Sequence, residues 1–278
     1  MITNFVQSKE ESVLMKKINL FILITTCVGL VTLISQTAAT YLTPPKNDSI
    51  PRNQLAVENS SKDFKSATAL LYDEIGLEGK LKFEAFDKAM IGYENLNFKN
   101  KDIITVIDFT LPSTEKRMFV IDMKNKKVLF HTIVSHGRNS GEKYATAFSN
   151  RHGSYQSSLG FYTTENTYQG GNGYSLVLNG LEKGINDQAK ARAVVIHGAD
   201  YCSQAVIRAT GRLGRSYGCP ALPRELNKPI INTIKNGSMV FIYAEDPSYM
   251  ASSQILKKSH STLLAQHNTE DADSISVY

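Results

Sequence analysis

From residue 103 onward this chain consists of short β-branched or aromatic runs set apart by turn-forming stretches, and that pattern commits it to a sheet. Runs at 103–109, 117–123 and 128–135 come first, and the polar segment 122–127 reads as the hairpin connection between the last two. Further strands are predicted at 160–164, 174–178, 193–196 and 238–243. Helical spacing of apolar residues occurs at 66–75, where Gly76 is placed to end the helix, at 81–93, and at 224–235 before Asn236-Gly237. The expected class is therefore mainly β, a β-rich α+β fold with a few flanking helices. The stretch 137–158 is long, polar and rich in Gly and Ser, so it reads either as a lid or binding rim or as a surface excursion.

The N-terminus has a different character. Lys16-Lys17 precede an apolar stretch over 18–34, and Gln36-Thr37-Ala38-Ala39 then offers small residues for signal peptidase. Residues 1–40 are expected to be a secretory signal, with an uncleaved membrane anchor as the alternative because the apolar stretch is long for a signal core. Met15 is a second candidate initiator. Residues 41–61 are polar, proline-bearing and aperiodic, a linker; 62–244 form one domain; 245–278 lack a sustained core pattern and are expected as a flexible tail. A net charge of +5 and 42% hydrophobic residues fit a globular protein near an anionic surface and are too modest a basic excess to imply nucleic acid. The histidines lack metal-ligand spacing and no Gly-rich phosphate loop is evident, so neither metal nor cofactor is expected.

Chemistry concentrates at two places. The apolar run 193–196 delivers His197 at a strand end, and Ser216-Tyr217-Gly218-Cys219-Pro220-Ala221 sets a thiol in a Gly-bearing turn eighteen residues after the histidine segment breaks off. Cysteine attacks as thiolate, and an ordinary pKa near ~8.5 leaves little of it ionised at neutral pH, so a base such as His197 or a field of N–H donors must favour the anion. The N–H groups of Gly218 and Cys219 are the expected oxyanion donors; Pro220 has none. A structural disulfide is the competing use of the thiols, since Cys202 and Cys219 remain if Cys27 leaves with a targeting segment.

Together, Ile196-His197-Gly198, Val134-Ser135-His136-Gly137, the 157–162 segment and Ser216-Tyr217-Gly218-Cys219 resemble the L,D-transpeptidase catalytic domain, the YkuD-like family of bacterial peptidoglycan enzymes. The likeness spans roughly residues 62–244. Tyr217 stands where the commonest family pattern has histidine, and Pro220-Ala221 replaces the hydrophobic and Arg/Asn positions after the cysteine, a variant similar to the murein L,D-transpeptidase subgroup with Ser-x-Gly-Cys-Pro-Ala. The resemblance implies a β-sandwich or barrel with flanking helices.

It further implies that Cys219 forms a thioester with a tetrapeptide stem while His197 carries the proton. An acceptor amine would then give a 3-3 cross-link, or water would give L,D-carboxypeptidase action. Arg212 and Arg215 are the expected grip on a substrate carboxylate, with Ser216, Tyr217 and His136 also facing the substrate. Asp200 is one candidate to orient His197, a backbone carbonyl or small polar side chain the other. The expected partner is a peptidoglycan stem peptide, met by a monomer exported to the periplasm or cell envelope, with N-terminal membrane association if the anchor is kept. A non-catalytic wall-binding protein and a general cysteine protease are the competing functions.

Overall fold

The computed structural model describes residues 66–258, so the expected signal or anchor at 1–40 and the linker at 41–61 lie outside the described residues. Helix α1 (Ala67–Ile75) starts where the Ser66 hydroxyl accepts from Ala69 N at 3.2 Å and stops at Gly76, whose φ of +73° is left-handed. Helix α2 (Phe83–Asn95) buries Ala85, Phe86, Ala89, Met90 and Gly92 along one face. Gly92 is required there: a Cβ would stand 2.1 Å from the Phe161 ring, which itself stacks on Phe241 at 4.2 Å.

The sheet holds β1 (Asn100–Asp108), β2 (Met118–Asp122), β3 (Lys127–Thr132), β4 (Gly160–Gly170), β5 (Gly173–Gly180), β6 (Val195–Gly198), β7 (Ala221–Leu222) and β8 (Ser238–Tyr243). They form one eight-stranded mixed sheet in the order β3-β2-β1-β8-β4-β5-β6-β7. β1–β2–β3 and β4–β5–β6 are two antiparallel runs joined through β8, which pairs parallel to β1 and antiparallel to β4. β8 is buried at every position, as the apolar and aromatic run after Ser238 requires. Helix α3 (Gln204–Thr210) precedes β7, and α4 (Arg224–Ile234) follows it, burying Ile230, Ile231 and Ile234.

The sheet curls until the chain leaving β3 meets β7 at the opposite edge. Ser135 bridges Ala221 in antiparallel sense and Gly137 bridges Ser216 in parallel sense, which is why the strand expected over 128–135 ends at Thr132. Buried Arg117 fixes this crossing. Its Nε and Nη2 donate to Val134 O at 3.0 and 2.8 Å, Nη1 to Leu111 O at 3.0 Å, and Nη2 to His136 Nδ1 at 2.8 Å, with Phe109 beneath the guanidinium at 4.7 Å. Because the guanidinium donates to Nδ1, the His136 proton is on Nε2, which donates to Gly141 O at 3.1 Å. Burial lowers Arg117 to about 9, still cationic at neutral pH; burial and then Arg117 lower His136 to about 4.

The chain stays packed beyond residue 244, which corrects the expected start of the tail. Helix α5 (Pro247–Ser252) is capped by the Asp246 carboxylate, which accepts from Tyr249 N at 2.8 Å, and Tyr249, Ser253 and Ile255 are buried. Buried Glu182 ties this segment to β4, accepting from Phe161 N at 2.8 Å, from Tyr249 OH at 3.1 Å and from the Ser253 hydroxyl. Among the described residues no helix is long and apolar enough to cross a membrane.

Glu182→Ala would strand these donors and release α5, at about 2–4 kcal/mol, seen as a lower unfolding midpoint and faster proteolysis after residue 246. A second expectation concerns acid. The unfolded chain protonates His136 at about 6.5 whereas the folded chain resists until about 4, so this group's stabilisation is complete above pH 6.5 and declines as pH falls towards 4, by ~3 kcal/mol at most. Denaturant titrations from pH 7 to 4 should show His136→Gln, which keeps an acceptor for Arg117, losing less stability over that window than the wild type.

Candidate active site

The turn that carries Cys219 is tied down by hydroxyl groups. The Ser216 hydroxyl accepts from Gly218 N at 3.0 Å and donates to Cys219 O at 2.6 Å, and the Ser157 hydroxyl accepts from Gly137 N at 3.0 Å while donating to Gly218 O at 3.2 Å. Ser140 extends this chain by accepting from Ser157 N at 2.9 Å. Gly218 has φ +128°, and a Cβ there would lie 2.9 Å from Gln156 O and 3.3 Å from Arg192 Nη2, so the turn admits glycine for both conformation and space.

These bonds change the expected oxyanion pair. The Gly218 N–H is already spent on Ser216, whereas the Cys219 N–H has no hydrogen-bond acceptor among the described residues. Only the latter remains free to meet developing charge.

Cys219 is partly buried. Its Sγ accepts from Val195 N, the first residue of β6, at 3.4 Å and donates to Ala193 O, just before the strand, at 3.7 Å. Burial pushes the thiol above the usual cysteine range, and the Val195 N–H and the Arg192 guanidinium pull it part of the way back. His197 lies two residues further along β6, opposite Ala221 of β7 in parallel register. Its Nδ1 is 3.1 Å from Gly198 O, which makes Nδ1 the protonated nitrogen and Nε2 the basic one. Burial lowers the His197 pKa, opposed by the Gly198 carbonyl and assisted by Arg224. The resting groups are thus a neutral thiol and a neutral imidazole, and the thiol's own hydrogen bonds run to the backbone of Ala193 and Val195.

The other expected site residues divide. Asp200 pairs with Arg224, whose Nη2 donates to Oδ2 at 2.9 Å, so the backbone carbonyl of Gly198 and not Asp200 orients His197. His136 is 1% exposed with both ring nitrogens bonded, which corrects its expected place on the substrate face: it is a joint beneath the site. Ser216 is 5% exposed and shapes the turn internally. Tyr217 is 67% exposed, with its ring 4.8 Å from Tyr155 and the Arg138 guanidinium 5.8 Å above it. Arg212 and Arg215 both bond one carboxylate, Glu142. Cys202 and Cys219 are free thiols, and Cys202 is sealed with Ile133 and Leu213 in a small cluster.

The segment 137–158 forms a wall of the site, with Tyr155, Gln156 and Ser157 against the turn. Arg192 clamps it there, donating to Ser149 O at 2.7 Å, Ser158 Oγ at 2.6 Å and Gln156 O at 2.6 Å. Sequence reasoning missed Arg192, because one arginine between Ala191 and Ala193 carries no pattern.

Among solved structures, similarity is found to an L,D-transpeptidase from Mycobacterium smegmatis at 13% identity and TM-score 0.32, covering 51% of this chain and 59% of that one. It is also found to one from Stackebrandtia nassauensis at 15% identity and TM-score 0.32, covering 64% and 76%. The helical cell shape determining protein Pgp2 from Campylobacter jejuni matches at 14% identity and TM-score 0.38, covering 64% and 61%. No curated protein sequence matches. The sequence profile of the L,D-transpeptidase catalytic domain matches residues 77–243, more than half of the 278 residues. This span runs from just after α1 to the last residue of β8 and contains His197 and the whole Ser216–Ala221 turn, and the chain belongs to the L,D-transpeptidase catalytic domain family.

Proposed function

We propose that the protein is an exported peptidoglycan L,D-transpeptidase that works through a thioester on Cys219. The observation that carries this reading is the β6–β7 pairing, which holds His197 level with Ala221 two residues past the thiol, with Nδ1–H committed to Gly198 O and Nε2 left as the base. In the forward step, Sγ bonds to the carbonyl carbon before the terminal D-alanine of a tetrapeptide stem, and the S–H proton passes to His197 Nε2. The Cys219 N–H donates to the oxyanion. Collapse breaks the C–N bond, the imidazolium returns its proton to the leaving amine, and D-alanine departs. An amine of a second stem then attacks the thioester to form a 3-3 cross-link and regenerate the thiol; water in its place gives the carboxypeptidase product.

Arg212 and Arg215 are the proposed grip on the stem's carboxylate, and Tyr217 with Tyr155 offers an exposed aromatic surface beside it. Export rests on Lys16-Lys17 and the apolar stretch after them, and the net charge of +5 suits an anionic wall. One observation favours non-catalytic wall binding instead: the thiol is pushed up by burial and hydrogen-bonded away from His197.

Purified protein incubated with tetrapeptide muropeptides should release D-alanine and, with an acceptor stem, give a cross-linked dimer by mass spectrometry. Cys219→Ser should lower both at least ~1000-fold; equal activity in the two proteins would sink the reading. The pH dependence reports on the two site groups themselves. Iodoacetamide labelling of Cys219 should keep accelerating above pH ~8.5, because the thiol ionises late, whereas a preformed thiolate would label at a flat rate through neutrality. Turnover should persist to pH values below ~6.5 before its acid limb falls, since His197 remains unprotonated there.

A further inference from the structure

Glu142 reaches from the rim segment to both arginines that precede the nucleophile turn. Arg212 Nε meets Oε2 at 2.8 Å and Arg215 Nη1 meets Oε1 at 2.8 Å, so each carboxylate oxygen takes a different guanidinium. The cations are the fixed members of this trio. Arg215 Nη1 also donates to Arg138 O at 2.9 Å and Gly141 O at 3.1 Å, and Arg212 Nη1 to Leu213 O at 2.8 Å. Their side chains are 20% and 28% exposed, against 67% for Glu142. Among the described residues the Glu142 carboxylate has no further hydrogen bond. Two backbone-anchored guanidinium groups therefore form a receptor for one carboxylate, and the carboxylate now in it belongs to an exposed side chain that water can solvate as it leaves.

We propose that Glu142 is a resident stand-in for the substrate's carboxylate, seated on Arg212 and Arg215 while the site is empty and displaced by the free carboxylate of a stem peptide. The proposal rests on the acyl-transfer reading above. Exposed ion pairs are weak, so displacement is cheap for a ligand with other contacts to add, while a tethered carboxylate at an effective concentration near ~mM keeps out small anions that have none. Apparent affinity for substrate is then reduced by the fraction of molecules whose receptor is filled.

The test compares full-length wild type with Glu142→Gln, which keeps size and loses charge. With a tetrapeptide carrying free carboxylates, the variant should show KM for D-alanine release lowered roughly three- to tenfold at unchanged kcat. Amidating the carboxyl that the arginines hold should erase the difference; stems amidated separately at the terminal and at the diaminopimelyl carboxyl identify which one that is. Unchanged or higher KM in the variant overturns the proposal, as does a gain that survives amidation of both, which would mean a loosened rim. If the wild type releases no D-alanine, the acyl-transfer reading fails on its own, and calorimetric titration of the same tetrapeptide still decides between tighter binding by Glu142→Gln, which upholds the stand-in, and equal binding, which removes it.

Discussion

A buried guanidinium without a contacting carboxylate holds this fold closed. Transferring a charge out of water costs several kcal/mol unless it is fully hydrogen-bonded, and Arg117 meets that demand with the carbonyls of Leu111 and Val134, the His136 ring nitrogen and the face of Phe109. Those partners bracket the crossing between the two edges of the sheet. Ser135, between Val134 and His136, bridges Ala221, and Gly137, just after them, bridges Ser216. The thiol sits between these two bridged positions of the turn. Arg117 thus positions a turn it does not touch, and together with burial it keeps His136 neutral by donating to the Nδ1 lone pair.

The wall facing the turn is organised on a different principle. Where Arg117 works by burying charge, residues 137–158 are held by short polar side chains and by Arg192, whose guanidinium gathers the carbonyls of Ser149 and Gln156. That wall also carries an exposed ion pair, Glu142 on Arg212 and Arg215, at the end far in sequence from the Arg192 clamp. The segment is accordingly most heavily hydrogen-bonded beside the thiol and least so at the exposed Glu142 carboxylate.

Much of the fold was legible in the sequence where burial and pattern coincide. β8 was found at its full length, Ser238–Tyr243, because all six positions are buried and the five after Ser238 are apolar or aromatic, and α1 was bounded by the chemistry of Ser66 and Gly76. The second half of β4 was missed because residues beyond Thr164 are largely exposed and alternate nothing apolar, and α3 because none of its residues is buried. β7, with two residues, has no period to detect. At the site, the histidine, the thiol and the glycine between turn and wall are singled out by residue type and order. What failed was the assignment of partners. His136 after a strand reads the same whether it faces solvent or a buried arginine, and the Gly218 N–H looked available until the Ser216 hydroxyl claimed it. Export was inferred from residues outside those described, and stands on the sequence alone.

The hydroxyl of Ser157 has a consequence for a group it never meets. Gly218 C=O and Cys219 N–H belong to one planar amide, so a bond that fixes the oxygen fixes the direction of the hydrogen on the opposite side. Rotating that plane would forfeit the Ser157 bond and disturb the neighbouring one from Ser216 to Cys219 O. The amide proposed to meet the oxyanion is therefore aimed before any substrate arrives, and its reorganisation energy is supplied during folding, through a serine sixty-one positions away along the chain.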